Sequence, residues 1–449
     1  MEAFTAFVVG WLLCQGRHTV SGGLMAARSF GLWPRHHAGF YRLLSRARWC
    51  VDEVGGVLVR LLLPFLPSEI DAAVDDTLCH RGGPQLFGAG MHHDAARSTY
   101  GGGAGRQVFF AFGHNWVVLS IWVPYPWNPA KGLAVPILFR LYRSKKRCPA
   151  SQYRKRTELA AEMIDVLLSF LPEGRTLNLS GDREYGCTTL LSRIGPRVRF
   201  TGALPMDAAL HDPVVVRRAG RGRPATKGAR LATPKAMAQA KNARWQKISV
   251  PMYGRDVDVL VLTFVATWYA VTGARPLRVV ITRDPAGRLG DRVFFSTDAQ
   301  DSARAVLVRY AKRWSLEVTF QAAKQRLGLE EPRNGWWRRA RGQRRPFRKA
   351  GPESNGNRGR KAVERTVPMI FVTYGIVLVW YLAHGQPKKD VARARRARPW
   401  DTEKREPAYA DMLAALRREL WTARISADAP RKAPLAKFRY LLPALCAAA

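Results

Sequence analysis

Apolar positions follow two rhythms along the chain. Up to about residue 68, the clusters FTAFVVGWLL, GFYRLL and VLVRLLLPFL alternate with polar breaks such as GRHTVSGG and LWPRHH, which predicts helices. Beyond that point the runs shorten, gain β-branched and aromatic residues, and end in turn chemistry. IDAAV runs into Asp75, QVFFAFG leads to HNWVVLSIWV, and LAVPILFRLY follows. These runs predict adjacent strands, the first three forming a meander. A helical stretch from Thr157 to Leu171 then precedes the strand-like TLNLSG, which delivers Asp182. Strands, a helix and a further strand in that order predict a mixed α/β sheet.

From about 198 to 300 the character changes. A basic Gly/Arg segment, RRAGRGRPATKGAR, is followed by the strand-like runs VDVLVLTFVATWYAV, LRVVITRD and RVFFSTD, which read as an inserted β-rich subdomain. Residues 301–327 read as helical. Residues 335–361 hold ten basic residues and no apolar periodicity, the pattern of a mobile insertion. Helical patterning resumes with AVERTVPMIFVTYGIVLVWYLA and is followed by a basic, Ala-rich tail with one helix around Tyr409–Trp421. Three regions result: a helical N-terminal region at 1–68, a main domain at 69–384, and the tail at 385–449. The first is a helical DNA-binding module or a helical cap on the main domain.

Charge changes the picture. Among 449 residues, 73 Lys and Arg face 34 Asp and Glu, a net charge of +39. Self-repulsion of that size opposes compaction unless a polyanion screens it. The cations are spread along the chain rather than gathered beside one apolar helix, which points to nucleic acid over an anionic membrane. Six cysteines form no C-x-x-C pair, so neither a zinc site nor a disulfide framework is expected, and a reducing cytoplasm is. The apolar N-terminus follows Glu2 and shows no convincing leader pattern. The run from Val367 to Ala383 is 17 residues long and contains Pro368, which favours a buried helix over a membrane span.

Three carboxylates stand out. Asp75 and Asp182 each follow an apolar run directly, which predicts strand ends, where mixed sheets place ligands. Carboxylates set side by side on a sheet suit Mg²⁺, a hard cation that takes oxygen ligands. Aspartate at a strand end is also common turn chemistry. The third is Glu317, in RYAKRWSLEVTFQAAKQRLGLE. On one continuous helix Tyr310, Arg313, Glu317 and Lys324 fall within roughly 60° of one another. A carboxylate flanked by two cations and a phenol suits a metal ligand beside a phosphate backbone. A solvated face with i,i+4 pairing gives the same pattern.

The spacing Tyr310-x₂-Arg313-x₃-Glu317-x₆-Lys324 resembles the Y-R-E-K signature of bacterial DDE-type insertion-sequence transposases. VDDTLCHRGG and SGDREYG resemble the segments bearing that family's first and second catalytic aspartates. GHNWVVLS, RLYRSKKR, GRGRPATKG and KAVERTVPM are similar to other stretches of one subgroup. The resemblance implies an RNase H-like mixed-sheet core with a β-rich insertion, in keeping with the 135 positions between Asp182 and Glu317. It implies Asp75, Asp182 and Glu317 as catalytic metal ligands for two Mg²⁺ or Mn²⁺ ions. Asp75 is preferred to Asp76 because it directly continues the AAV strand and leaves Thr77 two residues on. Two departures are the segment 335–361, which separates helices the family joins closely, and Arg81 or His80 where a lysine is usual.

The same resemblance implies DNA cleavage at the ends of an insertion sequence, followed by strand transfer into target DNA. The partners are then double-stranded DNA, as terminal inverted repeats and target, and a second copy of the chain in a synaptic homodimer. The place of action is the bacterial cytoplasm, at the nucleoid. Arg313, Lys324 and Tyr310 are read as DNA contacts. Arg221 and Arg223, in GRGRP, resemble a groove-inserting basic loop. Trp268 is a candidate to stack on a flipped base, or else a core tryptophan, and His114 reads as structural. The alternative functions are a non-catalytic DNA-binding relative and a nuclease that never joins strands.

Overall fold

The computed structural model describes residues 2–32, 36–82, 86–98, 107–213, 226–252, 254–332 and 356–428, with the side chains of 426–428 excepted. The N-terminal helices are α1 (Glu2–Leu13), α2 (Val20–Ser29), α3 (Gly39–Ser45) and α4 (Val51–Leu62). Then come β1 (Glu69–His80), β2 (Gly90–His93), β3 (Phe110–Tyr125), β4 (Asn128–Tyr142), α5 (Arg156–Phe170) and β5 (Thr176–Gly181). They are followed by α6 (Thr188–Leu191), β6 (Val198–Leu204), α7 (Pro234–Gln239), β7 (Gln246–Met252) and β8 (Arg255–Thr267). After α8 (Tyr269–Thr272) come β9 (Pro276–Arg283), β10 (Arg292–Ser296), α9 (Ala303–Lys312) and α10 (Trp314–Arg326). The last elements are α11 (Asn357–His384), α12 (Pro387–Ala397) and α13 (Tyr409–Asp428).

The strands form one mixed sheet in the order β2-β3-β1-β5-β6-β10-β9-β8-β7, with β4 also on β3. β1, β3 and β4 are successively antiparallel, whereas β1, β5 and β6 run parallel. Three sequence expectations change here. QVFFAFG and HNWVVLSIWV are not two strands but largely one, because Gly113 is no turn. A side chain there would lie 2.3 Å from the Cys79 carbonyl oxygen, so the glycine serves the close approach of β1. The strand-rich stretch after 198 is no separate sheet: β6 pairs in parallel with β5, and β10 through β7 extend the same sheet antiparallel. The expected single helix over 301–327 is two, broken at Arg313.

Helices cover the sheet. The apolar run around Val367–Ala383 lies in α11, which is long and apolar enough to cross a membrane by length and composition. Most of that stretch is buried in the protein, as expected from the sequence. Phe371 stacks on Phe139 of β4 at 5.4 Å between ring centres. Gly375 lets α4 approach, since a Cβ there would meet Leu58 at 2.6 Å. The N-terminal helices pack on the same core through Phe7, Phe40, Val59 and Leu62, and Trp11 donates its Nε1–H to the Leu327 carbonyl at 2.9 Å.

Within the expected C-terminal tail, α13 packs on the core. Tyr409 stacks on Tyr374 at 4.0 Å, Met412 and Leu413 are buried, and Arg417 donates to the Leu12 carbonyl. Its high Lys/Arg content hid an apolar face on α13. Of the basic stretch 335–361, residues 357–361 are the first turns of α11, and most of the rest lies outside the described residues.

Candidate active site

Pairing between β1 and β5 runs from Glu69↔Thr176 to Val74↔Gly181. The next residues are Asp75 and Asp182, so the two aspartates follow the paired stretch of neighbouring parallel strands at one level, near enough for Asp182 to raise the Asp75 carboxyl. Asp182 lies just past the end of β5, as its sequence context predicts. Its Oδ1 accepts from the Glu184 amide at 2.9 Å and the Tyr185 amide at 3.4 Å, a turn that fixes the carboxylate. Gly181 makes room for that turn, because a Cβ there would lie 2.8 Å from that of Tyr185. Asp75, in contrast, is not at a strand end. β1 continues to His80 because β3 still pairs with it there, so only the β5 side of Asp75 is open.

Alternation along β1 sends Asp71 and Asp75 to the face covered by α9 and α10. There Lys312 pairs with Asp71 at 2.5 Å and Arg313 pairs with Asp75. Arg313 also reaches Glu317, Nη2 to Oε1 at 2.8 Å. One guanidinium at the joint of two helices thus bridges the strand aspartate and the helix glutamate. Asp76 points to the opposite face, toward α5. It accepts from Asn115 Nδ2 at 2.8 Å and lies 3.4 Å from Arg156, whose fork grips Glu184 at 2.7 and 2.6 Å. Arg156, Glu184 and Asn115 did not emerge from the sequence. The only signal was the position of Glu184 two residues after Asp182.

The electrostatics fit crowded carboxylates. Burial pushes the Asp75 carboxyl up to about 7, against the lowering effect of Arg313, and Asp182 and Asp76 push the same way. Asp182 is also raised, by burial first and then by Asp76. Tyr185, buried under all three aspartates, is held well above the usual phenol range.

Other expected site residues are dispersed. Tyr310 sits on α9 against Phe294 at 4.6 Å, so its ring belongs to a second apolar cluster, although it also lies 5.6 Å from the Arg313 guanidinium. Lys324 reaches the Leu78 carbonyl at 2.8 Å and Glu330 at 3.2 Å, at the far end of β1. Arg313 keeps helical backbone angles and touches both Tyr310 and Glu317, so these three follow one face, with Lys324 two turns further along α10. Trp268 follows β8 and packs edge-on against Phe295 at 5.8 Å. Buried His114 has its Nε2 2.9 Å from the Phe87 carbonyl, and burial depresses it to about 3, a structural histidine. Arg221 and Arg223 lie outside the described residues.

Among the described residues no three His, Cys, Asp or Glu side chains are grouped closely enough to hold a metal ion. Asp75 and Asp182 nevertheless fit one. Both offer hard oxygen donors at one level, and each resists ionisation where a divalent cation would offset the crowding. Glu317 is tied to the pair through Arg313.

Adjacent acidic groups on parallel strands, with arginines beside them, make a site suited to a divalent cation and a phosphate. A family model described as DDE superfamily endonuclease matches residues 1–255. That is more than half of the chain, and the protein belongs to this family. The match includes Asp75 and Asp182 and ends before Glu317. None of the curated proteins compared with the chain matches it. Among solved structures, a cryo-EM structure of a piggyBac transposase synaptic complex with hairpin DNA aligns at 11% identity and a TM-score of 0.40. The alignment covers 99% of this chain and 75% of that one, and no conclusion is drawn from it.

Proposed function

We propose that this DDE-family endonuclease is an insertion-sequence transposase with an RNase H-like core, which cuts DNA at the element's ends and joins it to target DNA. The observation that supports this most is the β1–β5 register, whose last pair, Val74↔Gly181, immediately precedes Asp75 and Asp182. Glu317 completes the set through its link to Arg313. The strand order β4-β3-β1-β5-β6, an antiparallel meander followed by parallel strands, supports the RNase H-like reading.

Two Mg²⁺ or Mn²⁺ ions, when bound, would supply activation of water or a DNA 3′-hydroxyl and neutralisation of the leaving oxygen. Asp75 and Asp182 would hold them, with Glu317. The turn at Glu184 and Tyr185 orients Asp182, and Arg156 secures that turn by gripping Glu184. Arg313, beside Asp75 and Glu317, and Lys324, at the far end of β1, suit phosphate contacts. The chain's charge of +39 supports a polyanionic duplex as the partner, with a homodimer pairing two ends in the cytoplasm.

The test uses duplexes carrying the DNA that flanks the gene, with Mg²⁺. Wild type should release 3′-hydroxyl ends and form joined products. Asp75→Ala, Asp182→Ala and Glu317→Ala should lose both activities while still binding DNA, because binding rests mainly on cations. DNA binding by wild type with no metal-dependent product would mark a non-catalytic DNA-binding protein, and cleavage without joining a plain nuclease.

A further inference from the structure

Arg313 is placed unusually for a residue meant only to hold DNA. It stands between two helices, as the C-cap of α9 and the N-cap of α10. Its side chain is 15% exposed and sits between Asp75 and Glu317, with one terminal nitrogen on each. Its Nε–H is buried without an acceptor among the described residues, so there the bridge leaves one strong donor unsatisfied. A group that both carboxylates need as counter-ion, yet which is itself incompletely satisfied, is suited to exchange.

We propose that Arg313 is a built-in counter-ion which occupies the acidic site when metal is absent and must leave Asp75 and Glu317 before a divalent cation can bind them. The inference rests on the metal-site reading given above. Metal and guanidinium compete for the same carboxylate oxygens, so metal-free protein is held in an arrangement of low metal affinity. The intrinsic affinity is reduced by the fraction of molecules in which the bridge is formed. Once displaced, the guanidinium has its full fork, including Nε–H, to offer to a phosphate. Premature loading of the site without DNA is thereby disfavoured.

The sign of the effect separates this role from a structural one. Loss of a structural brace weakens metal binding, whereas loss of a competitor strengthens it. Mn²⁺ binding is measured on DNA-free protein by calorimetry and by paramagnetic resonance of free Mn²⁺, with the melting temperature recorded for each variant. Arg313→Gln should bind Mn²⁺ roughly tenfold or more tighter than wild type, within the usual range of coupling between two such events. Arg313→Lys, which pairs with one carboxylate at a time, should fall between the two. Asp75→Ala and Asp182→Ala should bind Mn²⁺ much more weakly.

If Asp75→Ala removes binding but Arg313→Gln binds no tighter than wild type, the exchange is wrong and the metal site stands. If Asp75→Ala binds Mn²⁺ like wild type, the site reading itself fails. Should Arg313→Gln not fold, Arg313→Lys carries the test, and wild-type affinity in that variant overturns the proposal.

Discussion

Asp75 is expected to destabilise the metal-free protein at neutral pH, and replacing it with asparagine should reveal by how much. Its carboxyl is raised from 3.8 to about 7, first by burial and then by Asp182 and Asp76, against the opposing pull of Arg313. A group whose folded value is raised favours the folded state fully at low pH. That contribution disappears as pH climbs from about 4 through about 7. A shift of this size corresponds to about 4 kcal/mol at most. Asparagine mimics the neutral acid but also gives up the ion pair to Arg313, so a net gain of about 1–3 kcal/mol is expected above pH 7.5.

For a chain of 449 residues, roughly 1 °C in melting temperature accompanies each kcal/mol. Asp75→Asn should therefore melt about 1–3 °C above wild type at pH 8, with a much smaller difference at pH 4.5. Intrinsic fluorescence melts in the presence of a chelator, across that pH series, measure it. Adding Mn²⁺ at pH 8 should raise the wild-type midpoint and leave the variant's where it was. A difference that does not change with pH, or a variant that melts lower at pH 8, would refute the argument that buried negative charge at Asp75 is the cause.

Two further outcomes follow from the packing and the network around β1. Met412→Ala should cost about 2–5 kcal/mol, because Met412 is fully buried on α13 against the core, and urea denaturation reads the loss directly. Lys324→Ala should slow DNA cleavage with Mn²⁺ affinity unchanged, since Lys324 holds the Leu78 carbonyl and Glu330 at the end of β1, away from the crowded aspartates. Single-turnover cleavage and Mn²⁺ titration of the same preparation distinguish the two effects.

Local sequence carried the site's carboxylates better than their surroundings. Asp182 was legible because TLNLSG ends where the strand ends and the turn it caps is written in the next three residues. Asp75 was legible as the continuation of an apolar strand, but its environment was not, because β1 runs on for five more residues against β3 and only long-range pairing determines that. Period reasoning placed Tyr310, Arg313, Glu317 and Lys324 on one face, and Arg313 does touch both Tyr310 and Glu317, but the meeting of that face with β1 is long-range. Arg313 caps both α9 and α10 and keeps helical backbone angles, so the stripe continues across the joint.

Long-range packing explains why the sequence understates Arg313. In a straight helix it pairs with Glu317 one turn on, an ordinary surface contact worth a few tenths of a kcal/mol. Packing of this face on β1 instead sets the guanidinium between Glu317 and a strand residue 238 positions earlier, where both it and Asp75 are largely out of water. A surface pair is thereby converted into a partly buried bridge across the acidic site. Arg156 works the same way on the opposite face, tying Asp76 to Glu184. The two arginines therefore sort the adjacent aspartates: Arg156 engages Asp76 in structure, and Arg313 holds Asp75 by a contact that a divalent cation can replace.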